Sequence, residues 1–327
     1  MLFSRKPFFV AEVSSNHNRD LARCLRFVDV AAEIGCDAVK FQLFRIRELF
    51  TPEVLAISAD HRRREKWELP TEFLGPIANR CRHDGIRFSC TPFYLKAVDE
   101  LLPWVDFYKV ASYELLWEDL LSACARTGKP VVLSTGMADI SEIERAVAVL
   151  RRAGCSKPAL LQCISGYPAP PGQCNLAAMQ TLREKFECPV GWSDHSASPA
   201  VIYRAAHRWV ADIIEFHLDL EGAGAEARVG HCWLPDAIGQ VIATVRAGLD
   251  ADGSGRKIPA PIEMPEREWR ADPSDGLRPL LQKRDDLSKK DHDTVQKHGA
   301  VSPRSNPKPK TRSPKQTKKS KQTRKKS

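Results

Sequence analysis

The sequence lacks long hydrophobic runs and paired cysteine motifs. None of its 327 residues belongs to a stretch that approaches ~18 uncharged apolar residues, the length that a membrane-spanning helix needs. Residues 1 to 9 have no long apolar segment of the kind found in signal peptides. Ten cysteines are scattered along the chain without a CxxC motif. We therefore expect a soluble, cytoplasmic protein with no membrane contact and with its thiols reduced.

Acidic residues are scarce at one end of the chain. The whole sequence has a net charge of +9, but residues 283–327 hold 16 Lys or Arg and 4 Asp or Glu, which leaves a net charge of −3 for residues 1–282. The basic charge therefore belongs to a tail. Hydrophobic residues nearly vanish from residue 285 onward, so we predict a disordered Lys-rich tail over 285–327. It is either simply solvated or binds polyanions nonspecifically.

Short apolar runs alternate with longer amphipathic segments through the first 250 residues. Eight of these runs are strand candidates: 8–13, 38–41, 86–90, 107–110, 130–134, 158–163, 190–192 and 213–216. Gly35, Gly85, Gly128 and Gly154 stand where the intervening helices should end. Eight strand and helix repeats predict an α/β protein with a (β/α)8 TIM barrel over residues 1–258. A doubly wound open sheet is the alternative.

Polar residues cluster at the carboxyl ends of the predicted strands, where barrel enzymes place their active sites. They are Glu12, Lys40, Gln42, Thr91, Lys109, Ser112, Glu114, Ser134, Ser165, Tyr167, Asp194, His195 and His217. An open sheet would gather its site at one switch point, whereas here all eight strands contribute. The pattern therefore favours the barrel.

Two histidines end neighbouring strands. His195 follows the seventh strand and His217 ends the eighth, so both side chains should lie on the same rim. Neutral imidazoles suit a divalent transition metal, and two protein ligands leave coordination positions open. A lone histidine is more often structural, so the hypothesis of a metal site depends on the pair.

Lys40 and Lys109 each end an apolar strand, where a buried lysine is costly. With Thr91, Ser112, Ser134 and Ser193 on neighbouring strand ends, they form a candidate pocket for an anion that carries phosphate and carboxylate groups. Internal salt bridges to Glu12 or Glu114 are the competing interpretation.

Six motifs together resemble those of the N-acetylneuraminate (sialic acid) synthase family, in order and in spacing. They are AEVSSNHN (11–18), AVKFQLF (38–44), FSCTPF (88–93), YKVASYEL (108–115), VLSTGM (132–137) and GWSDHS (191–196). The resemblance runs from about residue 8 to about residue 275. It implies a transferase that condenses phosphoenolpyruvate with an N-acetylated amino sugar to give a nine-carbon 2-keto acid and phosphate.

The resemblance also implies roles for individual residues. His195 and His217 would bind a divalent metal, usually Mn²⁺, with Mg²⁺ or Co²⁺ as alternatives. The phosphoenolpyruvate carboxylate would contact Lys40, Thr91 and Lys109, and its phosphate would contact Ser112, Ser134 and Ser193. Gln42 and Tyr167 would face the sugar, while Glu12 and Glu114 would orient or deprotonate water.

Three departures from the family pattern bear on the choice of substrate. Gln162 and Ser165 stand where the family more often has His and Asn, so the contact expected at Ser165 is open. The acidic residue of the loop after the second metal histidine would be Glu226, which we expect to help select the sugar. Many members carry an antifreeze-like domain that we do not expect here, because residues 259–284 read instead as an irregular extension packed on the barrel.

This domain bears on the expected assembly. In many relatives its arginine reaches into a partner's active site, and here only Arg270 or Arg278 could substitute. A homodimer is thus possible but not implied.

Two other functions stay open. A related synthase that makes seven- or eight-carbon sugar acids would need a basic site for a sugar phosphate, and the charged segment HRRREK (61–66) is a candidate. A non-catalytic barrel with a nucleic-acid-binding tail is the second. The choice among N-acetylmannosamine, its 6-phosphate and the precursors of legionaminic or pseudaminic acid is also open.

Overall fold

Eight parallel strands close into a barrel, with β8 paired to β1. The computed structural model describes residues 7–297, with side chains through residue 289. The strands are β1 (Phe8–Glu12), β2 (Ala38–Leu43), β3 (Arg87–Pro92), β4 (Phe107–Val110), β5 (Val131–Ser134), β6 (Ala159–Cys163), β7 (Val190–Asp194) and β8 (Ile213–His217). All eight lie where the short apolar runs predicted them. The predicted (β/α)8 barrel is thereby confirmed.

Helices return the chain from each strand to the next along the outside of the barrel. They are α1 (Leu21–Glu33), α2 (Ile46–Leu49), α3 (Pro52–Ile57), α4 (Ala59–Arg63), α5 (Leu74–Asp84), α6 (Leu95–Leu101), α7 (Glu118–Arg126), α8 (Ile140–Arg152), α9 (Ala178–Phe186), α10 (Pro199–Tyr203) and α11 (Pro235–Ala251). The carboxylate of Asp20 caps α1 by accepting a hydrogen bond from the amide of Ala22 at 2.8 Å. The four glycines predicted to end helices all have positive φ, as that role requires.

Alternation along the strands builds two layers inside the barrel. The lower layer is apolar and consists of Val10, Ala38, Phe107, Val132, Ala159, Leu161 and Ile213, packed with Phe8. Two residues further along the same strands, the inward positions carry polar groups such as Glu12, Lys40 and Glu215. The apolar layer closes the amino-terminal end of the barrel, and the polar layer opens at the carboxyl ends of the strands.

The outward faces of the strands pack against the helices. This larger core includes fully buried aromatic side chains, among them Phe9, Phe41 and Trp192. Gly191 marks the closest approach of β7 to β8, because a Cβ atom there would lie 2.1 Å from the carbonyl oxygen of Ile213. Only glycine fits that backbone position.

The chain divides after Ser254 into two compact units. Within the second unit, short 3₁₀ helices at Pro261–Glu263 and Pro265–Trp269 precede the helix α12 (Leu281–Lys297). This helix differs from the prediction of disorder from residue 285, because residues 281–297 contain neither Gly nor Pro, and about half of them are Lys, Leu, Gln or Arg, which favour helix. The rest of the predicted tail lies outside the described residues. The predicted packing of 259–284 on the barrel stays a prediction.

Among residues 7–297 no helix combines the length and apolar character needed to cross a bilayer.

Candidate functional site

A polar pocket opens at the carboxyl ends of the barrel strands. Of the fourteen residues predicted for the site, twelve line it: Glu12, Lys40, Gln42, Thr91, Lys109, Ser112, Ser134, Ser165, Tyr167, Ser193, His195 and His217. The sequence therefore located the pocket, while the roles of these residues are not tested by their positions. Glu114 and Glu226 do not line it.

One side of the pocket is formed by two buried lysines that share a carboxylate. Glu215 accepts from Lys109 Nζ at 3.0 Å, and its other oxygen lies 3.9 Å from Lys40 Nζ. Lys40 also contacts the carboxylate of Glu12 and donates to Thr91 Oγ1 at 3.2 Å. The internal salt bridge to Glu12 considered from the sequence is present, whereas Glu114 forms none within the described residues, and the partner that both lysines share is Glu215.

These contacts determine the protonation of the buried groups. Burial by itself raises the pKa of a carboxyl, yet Lys109 and Lys40 lower that of Glu215 to about 2. Burial also lowers the pKa of Lys40 to about 7, an effect that Glu215 opposes and Lys109 reinforces. The two lysines are thus shared between two carboxylates, Glu215 and Glu12, and their ammonium groups line the pocket, where they can donate hydrogen bonds to a bound anion.

A row of hydroxyl groups continues from the lysines. Ser193 donates to Glu215 at 3.2 Å, and Ser112 Oγ accepts from the amide of Gly136 at 2.9 Å. Ser134 Oγ is buried and has no hydrogen-bond partner within the described part of the chain. Such an unpartnered donor is costly unless a ligand satisfies it. The arrangement fits a phosphate or carboxylate oxygen.

Gly136 shapes this end of the pocket. A Cβ atom there would lie 2.5 Å from Ser165 Oγ and 2.8 Å from Ser112 Oγ. The absence of a side chain therefore keeps both hydroxyl groups where they are. Ser165 reaches the pocket even though the family more often has Asn at this position.

The two histidines face each other across the opposite side. The ring centroids of His195 and His217 are 5.2 Å apart, and the Tyr167 ring lies 4.1 Å from that of His195. His195 Nδ1 lies 2.7 Å from the carbonyl oxygen of Ile164, and His217 Nδ1 lies 2.9 Å from Glu226 Oε2. When each Nδ1 donates its hydrogen, Nε2 keeps a lone pair.

Both imidazoles are suited to bind a metal. Burial, helped by the neighbouring His217, lowers the pKa of His195 to about 3, and burial also lowers the pKa of His217. Both rings are therefore neutral near pH 7, the state that ligates metals. The donor chemistry of the pair fits a divalent transition ion.

The two predicted site residues outside the pocket lining occupy different positions. Glu114 is buried, and its Oε2 has no hydrogen-bond partner among the residues the structure describes. Burial raises its pKa to about 7, against the opposing effect of Lys109. Glu226 Oε2 contacts His217 Nδ1 outside the pocket lining, and the expected contact of Glu226 with a sugar stays a prediction.

Strand parity explains which residues sequence reasoning misplaced. Glu215 was missed, although it precedes His217 by two positions and so shares its inward face. Asp194 alternates outward instead, where it accepts hydrogen bonds from the indoles of Trp192 and Trp233, both at 3.0 Å. Asp194 is therefore a structural residue. Gln162, also outward, donates to the carbonyl oxygen of Cys174 at 3.2 Å.

His231 was also missed, since no local pattern marks it. It is buried on the loop after β8, and its Nε2 lies 3.4 Å from Glu226 Oε2. Its ring centroid is 4.6 Å from that of His217. Only the folded loop brings these residues together.

Comparisons with known proteins find related sequences. The NeuB family matches residues 27–257. An uncharacterised protein of Methanocaldococcus jannaschii is 37% identical over 262 residues, covering 78% of this chain and 75% of its own. The N,N'-diacetyllegionaminic acid synthase of Campylobacter jejuni is 34% identical, covering 66% and 69%. A Bacillus subtilis spore coat polysaccharide biosynthesis protein is 31% identical, covering 73% and 66%.

Solved structures agree in fold. The sialic acid synthetase of Leptospira borgpetersenii, crystallised with citrate, superposes with a TM-score of 0.69 at 29% identity, covering 83% of this chain and 94% of its own. A truncated 3-deoxy-D-arabino-heptulosonate 7-phosphate synthase of Thermotoga maritima reaches 0.61 at 16% identity, covering 76% and 89%, which shows the fold alone. With more than half of its length matched and a buried polar pocket at the expected rim, the chain belongs to the NeuB family.

Proposed function

We propose that the protein condenses phosphoenolpyruvate with an N-acylated amino sugar, giving a nine-carbon 2-keto acid and inorganic phosphate. One observation carries the proposal: two buried lysines with hydroxyl groups line one side of a pocket whose other side presents two neutral histidines. A cation-lined side suits the doubly anionic enol ester. The histidine side suits a metal that binds the sugar aldehyde.

On the side of the pocket that holds the lysines, different residues would bind the two anionic groups of phosphoenolpyruvate. Lys40 and Thr91, already 3.2 Å apart, would bind the carboxylate together with Lys109. Ser112, Ser134 and Ser193 would bind the phosphate. The unpartnered hydroxyl of Ser134 supports this assignment, because a phosphate oxygen would satisfy it.

His195 and His217 would hold the metal, which we propose to be Mn²⁺, with Mg²⁺ or Co²⁺ as alternatives. A divalent ion there supplies Lewis acidity toward a sugar aldehyde. C3 of the enol would attack the aldehyde carbon, whose oxygen takes up a proton and becomes a hydroxyl group. Water would add to the cation that develops at C2 and lose one proton. The resulting C2 hydroxyl group would lose its proton as the C2–O bond to phosphate breaks, which leaves the 2-keto group and inorganic phosphate. The protein orients the partners and excludes bulk water.

Two carboxylates are expected to act on the water. Glu12 lines the pocket and accepts from Gln42 Nε2 at 3.1 Å, which fixes its oxygen beside the lysines. Glu114, with its pKa raised to about 7, can hold or release a proton near neutrality. We propose that Glu12, which lines the pocket, orients the water and takes up its proton, while the role expected for Glu114 stays a prediction because its side chain does not line the pocket.

The sugar would bind against Gln42 and Tyr167. Tyr167 is 40% exposed and stands at the mouth of the pocket beside His195. Relatives named as N,N'-diacetyllegionaminic, pseudaminic and N-acetylneuraminate-9-phosphate synthases support an acylated amino sugar as the class of substrate. The individual sugar is left to experiment.

The direct test is phosphate release from phosphoenolpyruvate in the presence of Mn²⁺ and each candidate sugar. The panel contains N-acetylmannosamine, its 6-phosphate and the diacetamido trideoxyhexoses. We expect turnover with at least one of them, lost on chelation and lost in His217→Ala with the fold retained by circular dichroism. Full activity of metal-free His217→Ala would rule out the metal role.

The same panel addresses the rival syntheses of seven- or eight-carbon sugar acids. Those would require a basic site for a sugar phosphate, and the segment 61–66 does not offer its arginines freely. Arg62 donates to the carbonyl oxygen of Ala56 at 3.1 Å, and Arg63 pairs with Asp60 at 2.9 Å. Aldose phosphates that lack an acylamino group, added to the panel, should therefore be poor substrates, and silence with every sugar would favour a non-catalytic barrel.

A further inference from the structure

Glu226 is held in place from three directions. Its Oε1 accepts from Ser14 Oγ at 2.5 Å, and its Oε2 lies 2.9 Å from His217 Nδ1. Its own amide donates to Asn16 Oδ1 at 2.9 Å. Both oxygens therefore have a donor inside the protein, which leaves the carboxylate turned toward the histidine.

The loop that carries Glu226 is itself pinned. The carboxylate of Asp219 accepts from the amides of Leu220 and Gly224, both at 2.9 Å, and pairs with Arg23 at 3.0 Å. A Cβ atom at Gly224 would lie 2.5 Å from Asp219 Oδ1 and 2.6 Å from Asn16 Oδ1. The path of the backbone is therefore fixed where it delivers Glu226 to His217.

A carboxylate on Nδ1 determines what the other ring nitrogen can do. With the hydrogen on Nδ1 and shared with Glu226, the lone pair of His217 must lie on Nε2. The negative charge also makes that lone pair more basic and fixes the ring orientation. We propose that Glu226 is a positioning residue that orients His217 as a metal ligand, an inference that rests on the proposed function.

His231 supports the same carboxylate from the other side. Its Nε2 lies 3.4 Å from the oxygen that contacts His217, and its ring centroid lies 4.9 Å from that of Tyr167. It is 3% exposed, so its ring is almost completely shielded from solvent. His231 thus limits the movement of Glu226, and the three side chains form a chain of contacts that leads from the loop to the pocket.

Direct coordination by these residues is the alternative. Donor atoms of His217, Glu226, His231 and Cys232 all lie within 4.8 Å of one another, close enough to surround one cation. Two facts favour the positioning role. Glu226 already accepts hydrogen bonds at both oxygens, and the Cys232 sulfur already accepts one from Asn16 Nδ2 at 3.5 Å.

The experiment compares cation affinity in matched variants. Mn²⁺ binding is titrated by calorimetry in the wild type, Glu226→Gln, Glu226→Asp and the control Glu221→Gln, which changes an exposed glutamate of the same loop. We expect Glu226→Gln to bind about 10- to 100-fold more weakly, the usual cost of losing such a partner. Glu226→Asp should recover part of the affinity, and the control should match the wild type.

Further readouts separate positioning from a general structural defect and from direct ligation. The melting temperature without metal and the affinity for phosphoenolpyruvate without metal should change little in Glu226→Gln. In the Co²⁺-loaded protein, we expect no thiolate-to-cobalt charge-transfer band and no effect of Cys232→Ser. A strong band that disappears in Cys232→Ser would overturn the inference in favour of direct ligation.

Two outcomes distinguish failure of the positioning role of Glu226 from failure of the proposed synthase function. Unchanged Mn²⁺ affinity in Glu226→Gln, with the wild type binding and turning over, would overturn the positioning role alone. A wild-type protein that binds no divalent cation and releases no phosphate would overturn both.

Discussion

The substitution Glu215→Gln probes the buried carboxylate between the two lysines. Glu215 lies 3.0 Å from Lys109 Nζ and 3.9 Å from Lys40 Nζ, and its side chain is 5% exposed. At an effective dielectric constant of about 20, these separations correspond to attractions of ~5 and ~4 kcal/mol. Desolvation of all three groups offsets part of that sum, so the net contribution is smaller than either value suggests.

Removing one member of a buried ion pair typically costs ~3–5 kcal/mol, because a charge is left without a partner. Glutamine still offers an oxygen to Lys109, so we expect the lower end: the free energy of unfolding in anion-free buffer should fall by about 3 kcal/mol. The assay is urea unfolding followed by tryptophan fluorescence. Glu144→Gln, which breaks the exposed pair with Lys185 at 2.5 Å, is the control and should cost less than about 1 kcal/mol.

Phosphoenolpyruvate should reduce the difference between Glu215→Gln and the wild type. If the anionic groups of phosphoenolpyruvate bind beside the lysines, they replace the missing Glu215 carboxylate in the variant. In the wild type they bind in addition to that carboxylate, whose negative charge opposes them. We expect saturating ligand to narrow the stability difference by at least about 1 kcal/mol, which corresponds to roughly fivefold tighter binding by the variant. A loss below 1 kcal/mol, or a difference that the ligand leaves unchanged, would refute this reasoning.

Three further perturbations have defined outcomes. Burial lowers the pKa of His17 to about 4 from 6.5, so the unfolded chain binds the proton more tightly, and the free energy of unfolding should fall as the pH falls from 6.5 to 4, at up to ~1.4 kcal/mol per pH unit. In urea unfolding, the free energy of unfolding of His17→Asn should depend less steeply on pH than that of the wild type. An identical dependence on pH would contradict the burial argument. Gly136→Ala should weaken phosphoenolpyruvate binding in calorimetry at least tenfold, because the added Cβ displaces Ser165 and Ser112; wild-type affinity would show that these hydroxyl groups do not contact the ligand. Lys109→Met should weaken that binding about 10- to 150-fold, the value of one charge-assisted hydrogen bond, and should leave Mn²⁺ affinity within about twofold; equal losses of both would mean that the two ligands do not occupy separate sides of the pocket.

The barrel could be predicted because its determinants are local. Each strand is a short apolar run, and glycines such as Gly35 and Gly85 adopt the positive φ that ends the preceding helix. The polar residues at strand ends then follow from parallel closure, which brings eight separate segments to one rim. Lys40, His195 and His217 can be identified in this way from the sequence alone.

The site's remaining features depend on geometry that the sequence does not display. The alternation of side chains along β8 puts Glu215 on the same inward face as His217. The sequence alone, however, does not show which lysines neutralise an acidic residue inside this apolar strand. The contact between Glu226 and His217 requires the fold of a loop pinned by Asp219, which no period or spacing specifies. Asp194, expected at the rim, alternates to the outward face of β7, where it accepts hydrogen bonds from two indoles.

The most direct measurement is a crystal structure of the protein with Mn²⁺ and phosphoenolpyruvate, with the ion located by anomalous scattering. The account predicts one manganese peak within ligand distance of the imidazoles of His195 and His217, and the enol ester beside Lys40 and Lys109 in the same pocket. A peak away from both histidines, or phosphoenolpyruvate bound away from both lysines, would contradict it.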